Sequence, residues 1–242
     1  MFVPRLASSV SEVEELKREA GIAACDFIRN GMKLGLGTGS TVKYTVIEIG
    51  RRIAEEGLEV VGVPTSEATR ILADQVGIPL VSLAETGGLD LVIDGADEFD
   101  GNFALIKGGG GALTREKIVA QSSNGMVVVA DDRKQVSTLG AFDLPIEVLP
   151  FEWRRTADRV AEICPGKVSR RGGVEPFITD NGGYILACKF GDSISTPSSL
   201  ETKILSIAGV VEVGLFVGIC DAVILASSGG VLTLVNENGR LT

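Results

Sequence analysis

Apolar residues recur along this chain with two periods, one helical and one strand-like, and their alternation sets the expected fold. From residue 11 the spacing is helical, with Val13, Leu16, Ala20, Ala23 or Ala24, and Phe27 on one face. Ser11 and Glu14 fit a capping box at its start. "MKLGLG" (32–37) then reads as a short strand ending in glycines. "STVKYTVIEIGRRI" (40–53) reads as a helix with Val42, Val46, Ile49 and Ile53 on one face. "EVVGV" predicts a strand, "SEATRILADQVG" a helix and "IPLVSL" a further strand. "LDLVID" stays apolar almost to Asp94, as a strand buried on both faces would. "ALTREKIVAQSS" is helical in pattern and "GMVVVA" is again a buried strand. Such alternation predicts an α/β fold with a doubly wound, mainly parallel sheet from about residue 10 to 135.

The pattern changes at "LPIEVLP", punctuated by Pro145 and Pro150. A helix over "RRTADRVAEI" follows, then a hairpin around Asn181-Gly182 in "FITDNGGYILACKF". "SLETKILSIAGV" predicts another helix, leading into "VEVGLF". Locally paired strands with two helices describe a small α+β module. "DAVILASSGGVLTLV" reads as two strands turning at Ser227 to Gly230, placed where they could return to the main sheet. The expected division is residues 1–138 with 218–242 for the large domain and 139–217 for the small one.

Composition narrows the function. The 242 residues are 45% hydrophobic and 23% charged, ordinary for a globular chain. No run approaches the roughly 20 apolar residues of a membrane span. The opening "MFVPRLASSVSEVEEL" turns acidic too early for a secretory signal, so a cytoplasmic setting is expected. A formal net charge of −9 argues against general nucleic-acid binding, although a small anion can still be held locally. Cys25, Cys164, Cys188 and Cys220 are widely spaced and read as reduced core thiols. There is no histidine, so acid–base chemistry falls to Asp, Glu, Lys, Tyr or Cys.

Three stretches fall at expected carboxyl ends of strands, where open α/β sheets bind ligands. In "GLGTGST" (35–41), a tight turn opens a helix, with Thr38, Ser40 and Thr41 adding hydroxyl donors around Gly39, a natural phosphate cradle. It fails the dinucleotide fingerprint because Ser40 stands at the sixth position. In "DGADEFD" (94–100), Asp94 and Asp97 flank Gly95 and Ala96. Paired carboxylates bind sugar hydroxyls, exchange protons or hold Mg²⁺. "KGGGGALTREK" (107–117) sets Lys107 beside Gly108, Gly109 and Gly110, whose amides can converge on a ligand, with Glu116 opening the next helix. Alone, these stretches also fit a plain turn, a helix cap and a surface charge. Arg115 and Lys117 read as surface residues. Lys134 and Lys17 are candidate phosphate partners, though taken alone a solvated loop position suits Lys134 better and helix-surface duty suits Lys17 better, and Trp153 reads as packing between the modules.

Together, "GLGTGSTV", "DGADE", "KGGGGALTREK", "ADDRKQV", "TDNGGYIL" and "GVVEVGLF" resemble the type A ribose-5-phosphate isomerase family, in order and spacing, over about residues 11 to 235. Gly111 stands where alanine is as readily expected, "NENGRLT" lengthens the end, and "VGICDAVILASSGG" matches more loosely. The resemblance implies a Rossmann-like large domain and a smaller α+β, ferredoxin-like one. It implies an aldose–ketose isomerase of the pentose phosphate pathway acting on ribose 5-phosphate and ribulose 5-phosphate, without metal or nucleotide cofactor, as a homodimer or homotetramer. It makes Glu116 the proton-transferring base, and Asp94 and Asp97 the acids near the sugar, with Asp94 assisting ring opening. Lys107 becomes the charge beside the reacting oxygens. Thr38 to Thr41, Gly95, Ala96, Gly108 to Gly110 and Lys134 become substrate contacts. The competing readings are a sugar-phosphate sensor domain, which normally carries a basic DNA-binding segment, and a nicotinamide-dependent dehydrogenase.

Overall fold

The computed structural model describes residues 10–191 and 193–241. Residues 1–9 lie outside the described residues, as do 192 and 242; the first of these begin both the stretch read against a secretory signal and the expected large domain. In chain order the elements are α1 (Val10–Ala23), β1 (Lys33–Leu36), α2 (Val42–Glu56), β2 (Val61–Pro64), α3 (Glu67–Gln75), α4 (Leu83–Thr86), β3 (Leu91–Gly95), β4 (Glu98–Phe99), β5 (Leu105–Ile106), α5 (Leu113–Gln121) and β6 (Met126–Asp131). Then come β7 (Leu144–Val148), α6 (Trp153–Ala161), β8 (Val168–Arg170), β9 (Tyr184–Cys188), α7 (Pro197–Leu205), β10 (Val210–Val213), β11 (Leu215–Phe216), β12 (Ala222–Ser227) and β13 (Gly230–Val235).

Six strands form the main sheet in the order β13-β12-β6-β3-β1-β2, all parallel except β13. The central strands are apolar at nearly every position because both faces are covered. In β3, Leu91 and Ile93 join the core on the face covered by α1 and α2, while Val92 joins the opposite one. From β1 the chain steps outward to β2 and returns to β3 on the other side of β1. That reversal opens a crevice beyond the carboxyl ends of β1 and β3, where doubly wound sheets bind their ligands.

The small module runs β7-α6-β8-β9-α7-β10, with sheet order β10-β7-β9-β8 and antiparallel pairing throughout. That is the split βαβ, ferredoxin-like arrangement. A third sheet, β11-β5-β4, joins the two parts, and both Leu215 of β11 and Ile106 of β5 enter the small module's core. β12 and β13 return to the main sheet, joined by a turn at Ser227 to Gly230.

Several expectations change. "IPLVSL" is not a strand: only Leu80 bridges Gly62, and Ser82 then caps the short α4 in a capping box with Glu85. Helix α1 is already formed at Val10, so Ser11 lies inside it, and the Glu14 carboxylate is taken by Lys17, Lys43 and Tyr44. The turn at Asn181-Gly182 exists, but its ladder is one bridge, Ile178 to Tyr184, and β9 pairs instead with β7 and β8. Trp153 packs edge-on against Tyr184, 6.4 Å between ring centres, inside the small module rather than between modules. All four cysteines are free and buried, and burial pushes the Cys25 and Cys220 thiols up to about 12, which makes them inert.

Candidate active site

A pocket of about 250 Å³ lies in the crevice beyond β1 and β3. Its walls are Thr38, Gly39, Ser40 and Thr41 from the β1–α2 turn, and Gly95, Ala96 and Asp97 after β3. Lys107 to Gly110 after β5, Glu116 from the first turn of α5, and Lys134 after β6 complete it. Every expected site residue except Asp94 lines this space.

Asp94 lies beneath the floor, 1% exposed. One of its oxygens, Oδ1, accepts the Thr38 amide at 3.0 Å and the Gly95 amide at 2.7 Å. The other, Oδ2, lies 3.0 Å from Lys107 Nζ. That ammonium also donates to the Gly95 carbonyl at 2.5 Å and stands 3.3 Å from Glu116 Oε2. Lys107 and Glu116 are themselves 2% and 3% exposed, so two carboxylates and one ammonium share a nearly dry site. Neither Asp94 Oδ2 nor Glu116 Oε2 receives an aligned hydrogen bond from the lysine; the attraction there is of charge.

The electrostatics follow from counting charges. Burial pushes Lys107 down, but the Asp94 and Glu116 carboxylates outweigh it and hold the ammonium above the ordinary lysine range. Burial pushes Asp94 up, against Lys107 and two amide donors. Burial and then repulsion from Asp94 push Glu116 up to about 8, with Lys107 offsetting part of the rise. One ammonium balances one carboxylate. Asp94 has the hydrogen bonds that favour its ion, so the spare proton resides on Glu116.

The glycine run is shaped by its neighbours. A Cβ on Gly109 would overlap the Asp97 carboxylate, whose Oδ2 accepts the Gly109 amide at 2.6 Å. Gly111 has φ of +81°, and a Cβ there would overlap the Phe177 ring. The alanine expected as an equal alternative at 111 is therefore disfavoured on both counts.

Other expectations are redrawn. The Thr38 hydroxyl faces inward, bonded to Thr65, Ser66 and Thr69, so Thr38 offers the pocket its methyl and backbone. Lys134 makes no ion pair among the described residues and keeps its charge for the pocket. Lys17 is paired with Glu14 at 2.7 Å and does not line the space. Lys117 is no surface residue: it is 2% exposed, and its ammonium meets Glu201 at 2.6 Å, Glu212 at 2.7 Å and the Val213 carbonyl at 2.8 Å. Arg115 ties α5 to Asn181, the Asp180 carbonyl and Glu67. Buried Glu147 of β7, absent from the expected set, accepts the hydroxyls of Thr114 and Thr179. A larger cleft of about 1090 Å³ on the small module has no comparable chemistry; acids and bases along α6 pair with one another there, Arg155 with Asp158 and Arg159 with Glu162.

Comparison with known proteins gives one answer. The profile of the family ribose 5-phosphate isomerase A (phosphoriboisomerase A) matches residues 61–230. Ribose-5-phosphate isomerase A of Parvibaculum lavamentivorans is 49% identical over 224 residues, 90% of this chain and 96% of that one. The protein of the same name from Rhodopseudomonas palustris is 50% identical over 228 residues, 91% of this chain and 97% of its own. Among solved structures, ribose 5-phosphate isomerase from Plasmodium falciparum superposes with a TM-score of 0.88 at 38% identity, over 93% of this chain and 99% of that one. A D-ribose-5-phosphate isomerase in complex with phospho-erythronic acid superposes with a TM-score of 0.89 at 40% identity, over 92% and 99%.

Proposed function

The chain belongs to the ribose 5-phosphate isomerase A family, and on that premise we propose that the pocket between β1, β3 and α5 is where its reaction occurs. The protein is an aldose–ketose isomerase that interconverts D-ribose 5-phosphate and D-ribulose 5-phosphate. We assign the phosphate to the turn of Gly39, Ser40 and Thr41 at the amino end of α2, with Lys134 opposite. Helix-start amides and an ammonium with no ion pair among the described residues suit an anion. Asp97, Gly95 and Ala96 then flank the sugar hydroxyls. Phospho-erythronic acid, held by the relative above, combines a phosphate and a carboxylate, the two charges such a pocket has to accommodate.

Ring opening moves the anomeric hydroxyl proton to the ring oxygen, and the Asp94–Lys107 pair shuttles it. Glu116 in its deprotonated state, the minor form below a pKa of about 8, next removes the proton from C2. Electrons shift onto O1, giving a cis-enediolate. Its oxygens lie against the Lys107 ammonium and the amides of Gly108 and Gly110, fixed before the charge develops, while the Gly109 amide holds Asp97. Glu116 returns the proton to C1, while the O2 proton passes to O1 through Lys107. A pKa near 8 suits this exchange, because a base poised near the working pH both accepts and releases readily.

The observation that carries this reading is one buried lysine within 3.3 Å of two carboxylates, under a glycine-walled pocket. The test is a coupled assay of ribulose 5-phosphate formation, run with and without EDTA, then repeated in D₂O. The expected result is turnover indifferent to EDTA and solvent deuterium at C1 of the ketose. Turnover lost to EDTA would overturn the metal-free reading, whereas turnover with no deuterium would mean either a hydride shift or a proton returned by buried Glu116 without solvent exchange.

We further propose the domain division 1–138 with 218–242 against 139–217, a cytoplasmic setting, and a homodimer or homotetramer. The β7-to-β10 unit supports the first, and four free thiols support the second. Exposed Leu149 and Phe151 on the small module support the third.

A further inference from the structure

We propose that Arg171 is a positioning residue for this reaction: from the small module, its guanidinium fixes the 108–109 and 109–110 peptide planes so that their N–H groups face Asp97 and the pocket. Arg171 Nη1 donates to the Gly108 carbonyl at 3.2 Å and to the Gly109 carbonyl at 3.0 Å. A peptide unit is planar and trans, so its N–H points away from its C=O. Holding both carbonyls on the arginine side turns the Gly109 and Gly110 amides to the other side. The Gly109 amide does meet Asp97 Oδ2 there, at 2.6 Å, and Gly110 lines the pocket.

Glycine makes this brace necessary. A peptide between two glycines rotates at little steric cost, so a glycine run does not hold its own amides in place. The Gly108 carbonyl has a second donor, the Gly111 amide at 2.9 Å. Among the described residues, Arg171 alone bonds the Gly109 carbonyl. Arg171 makes no ion pair among the described residues, so its charge also polarises both peptides and strengthens their N–H donors. Its own position is set by β9 and Phe177: the Arg171 amide donates to the Ile185 carbonyl at 2.8 Å, and the guanidinium lies 5.7 Å from the Phe177 ring centre.

The inference rests on the isomerase reading above, so its test includes a readout independent of turnover. R171M and R171K are compared with wild type in kcat, KM, affinity for phospho-erythronate, affinity for inorganic phosphate, and the ¹⁵N–¹H resonances of Gly109 and Gly110. Losing an oxyanion donor outright costs about 10²–10³ in turnover, and R171M loosens donors rather than deleting them, so a fall of about tenfold is expected. KM and phosphate affinity stay near wild type, phospho-erythronate affinity falls with kcat/KM, and both amide resonances move. R171K, which keeps the charge but not the planar guanidinium whose Nη1 bridges the two carbonyls, recovers part of the loss, and millimolar guanidinium restores part of the activity of R171A. Wild-type kcat with unmoved resonances overturns the proposal. A fall in phosphate affinity equal to the fall in kcat/KM also overturns it, since Arg171 would then be a binding or structural strut. A wild-type chain that turns over no ribose 5-phosphate removes the isomerase reading and Arg171's share in it, while the two resonances still decide whether Arg171 orients these peptides.

Discussion

Glu116→Gln tests the electrostatic reasoning in two independent ways. The substitution keeps the shape of a side chain that is 3% exposed and removes its charge. The Lys107–Asp94 pair at 3.0 Å remains, so no buried ion is orphaned. Turnover loses its base and falls by about 10²–10⁴, while KM stays close to wild type. Stability moves the opposite way. In wild type, Glu116 holds its proton up to about 8 when folded and releases it near its ordinary 4.5 when unfolded. Between those values the unfolded chain binds fewer protons than the folded one. Wild-type stability therefore falls as pH rises through that window, by about 1.4 kcal/mol per pH unit for each proton. Glutamine carries no such proton. E116Q is expected to match wild type most closely near pH ~5 and to be the more stable protein above pH ~8. Urea unfolding at both pH values, alongside the coupled assay on the same preparations, measures both effects. Full turnover in E116Q removes Glu116 from the mechanism. A stability gap that does not grow with pH refutes the raised pKa and the charge count behind it.

Three further outcomes are expected. Asp94→Asn removes the charge that, after burial, does most to raise Glu116, so the acid limb of kcat/KM moves below about 8; a limb that stays there would refute a role for Asp94 in raising Glu116. Gly111→Ala costs about 1–3 kcal/mol in chemical unfolding, from left-handed strain and overlap with Phe177, whereas Gly110→Ala, whose Cβ would meet only Thr38 Cγ2 at 3.7 Å, changes stability by less than about 1 kcal/mol; equal costs would refute the packing argument. Lys117→Met leaves Glu201 and Glu212 facing each other without their ammonium and costs about 3 kcal/mol, the low end for a broken buried pair because both glutamates keep some exposure; an unchanged melting temperature would show that the pair contributes nothing.

The main sheet was legible because parallel central strands are covered on both faces. Apolar side chains fill their central positions, and "LVI", "MVVVA" and "AVILA" announce themselves. Short local motifs were less decisive. Ser82 and Glu85 form a capping box inside a stretch whose apolar run suggested a strand, while Ser11 and Glu14 have the same spacing and form none. The difference is tertiary: the Glu14 carboxylate is drawn off by Lys17, Lys43 and Tyr44, and the two Glu85 hydrogen bonds both come from Ser82. The pocket was legible because glycines and paired acids stand within a few residues of one another. Asp94's place beneath the floor was not, since adjacency in sequence does not say which carboxylate the strand end buries.

The same limit explains Lys107 and Lys117. They are ten positions apart, both buried, and both near the Phe216 ring, at 5.4 Å and 5.0 Å from its centre. Only the first stands beside glycines, so only the first signalled chemistry. The partners of the second, Glu201 and Glu212, are more than eighty residues away. Thr114 reaches Glu147 across 33 residues, and the glycine carbonyls reach Arg171 across 62 and 63. All three links end on residues 108–117, the segment that carries both the glycine amides and Glu116. A run of glycines cannot hold its own shape, and the first turn of a nine-residue helix cannot fix a buried carboxylate to a fraction of an ångström by itself. The small module supplies that rigidity from outside, so the shape of the pocket at the edge of the main sheet depends on side chains contributed by a second layer.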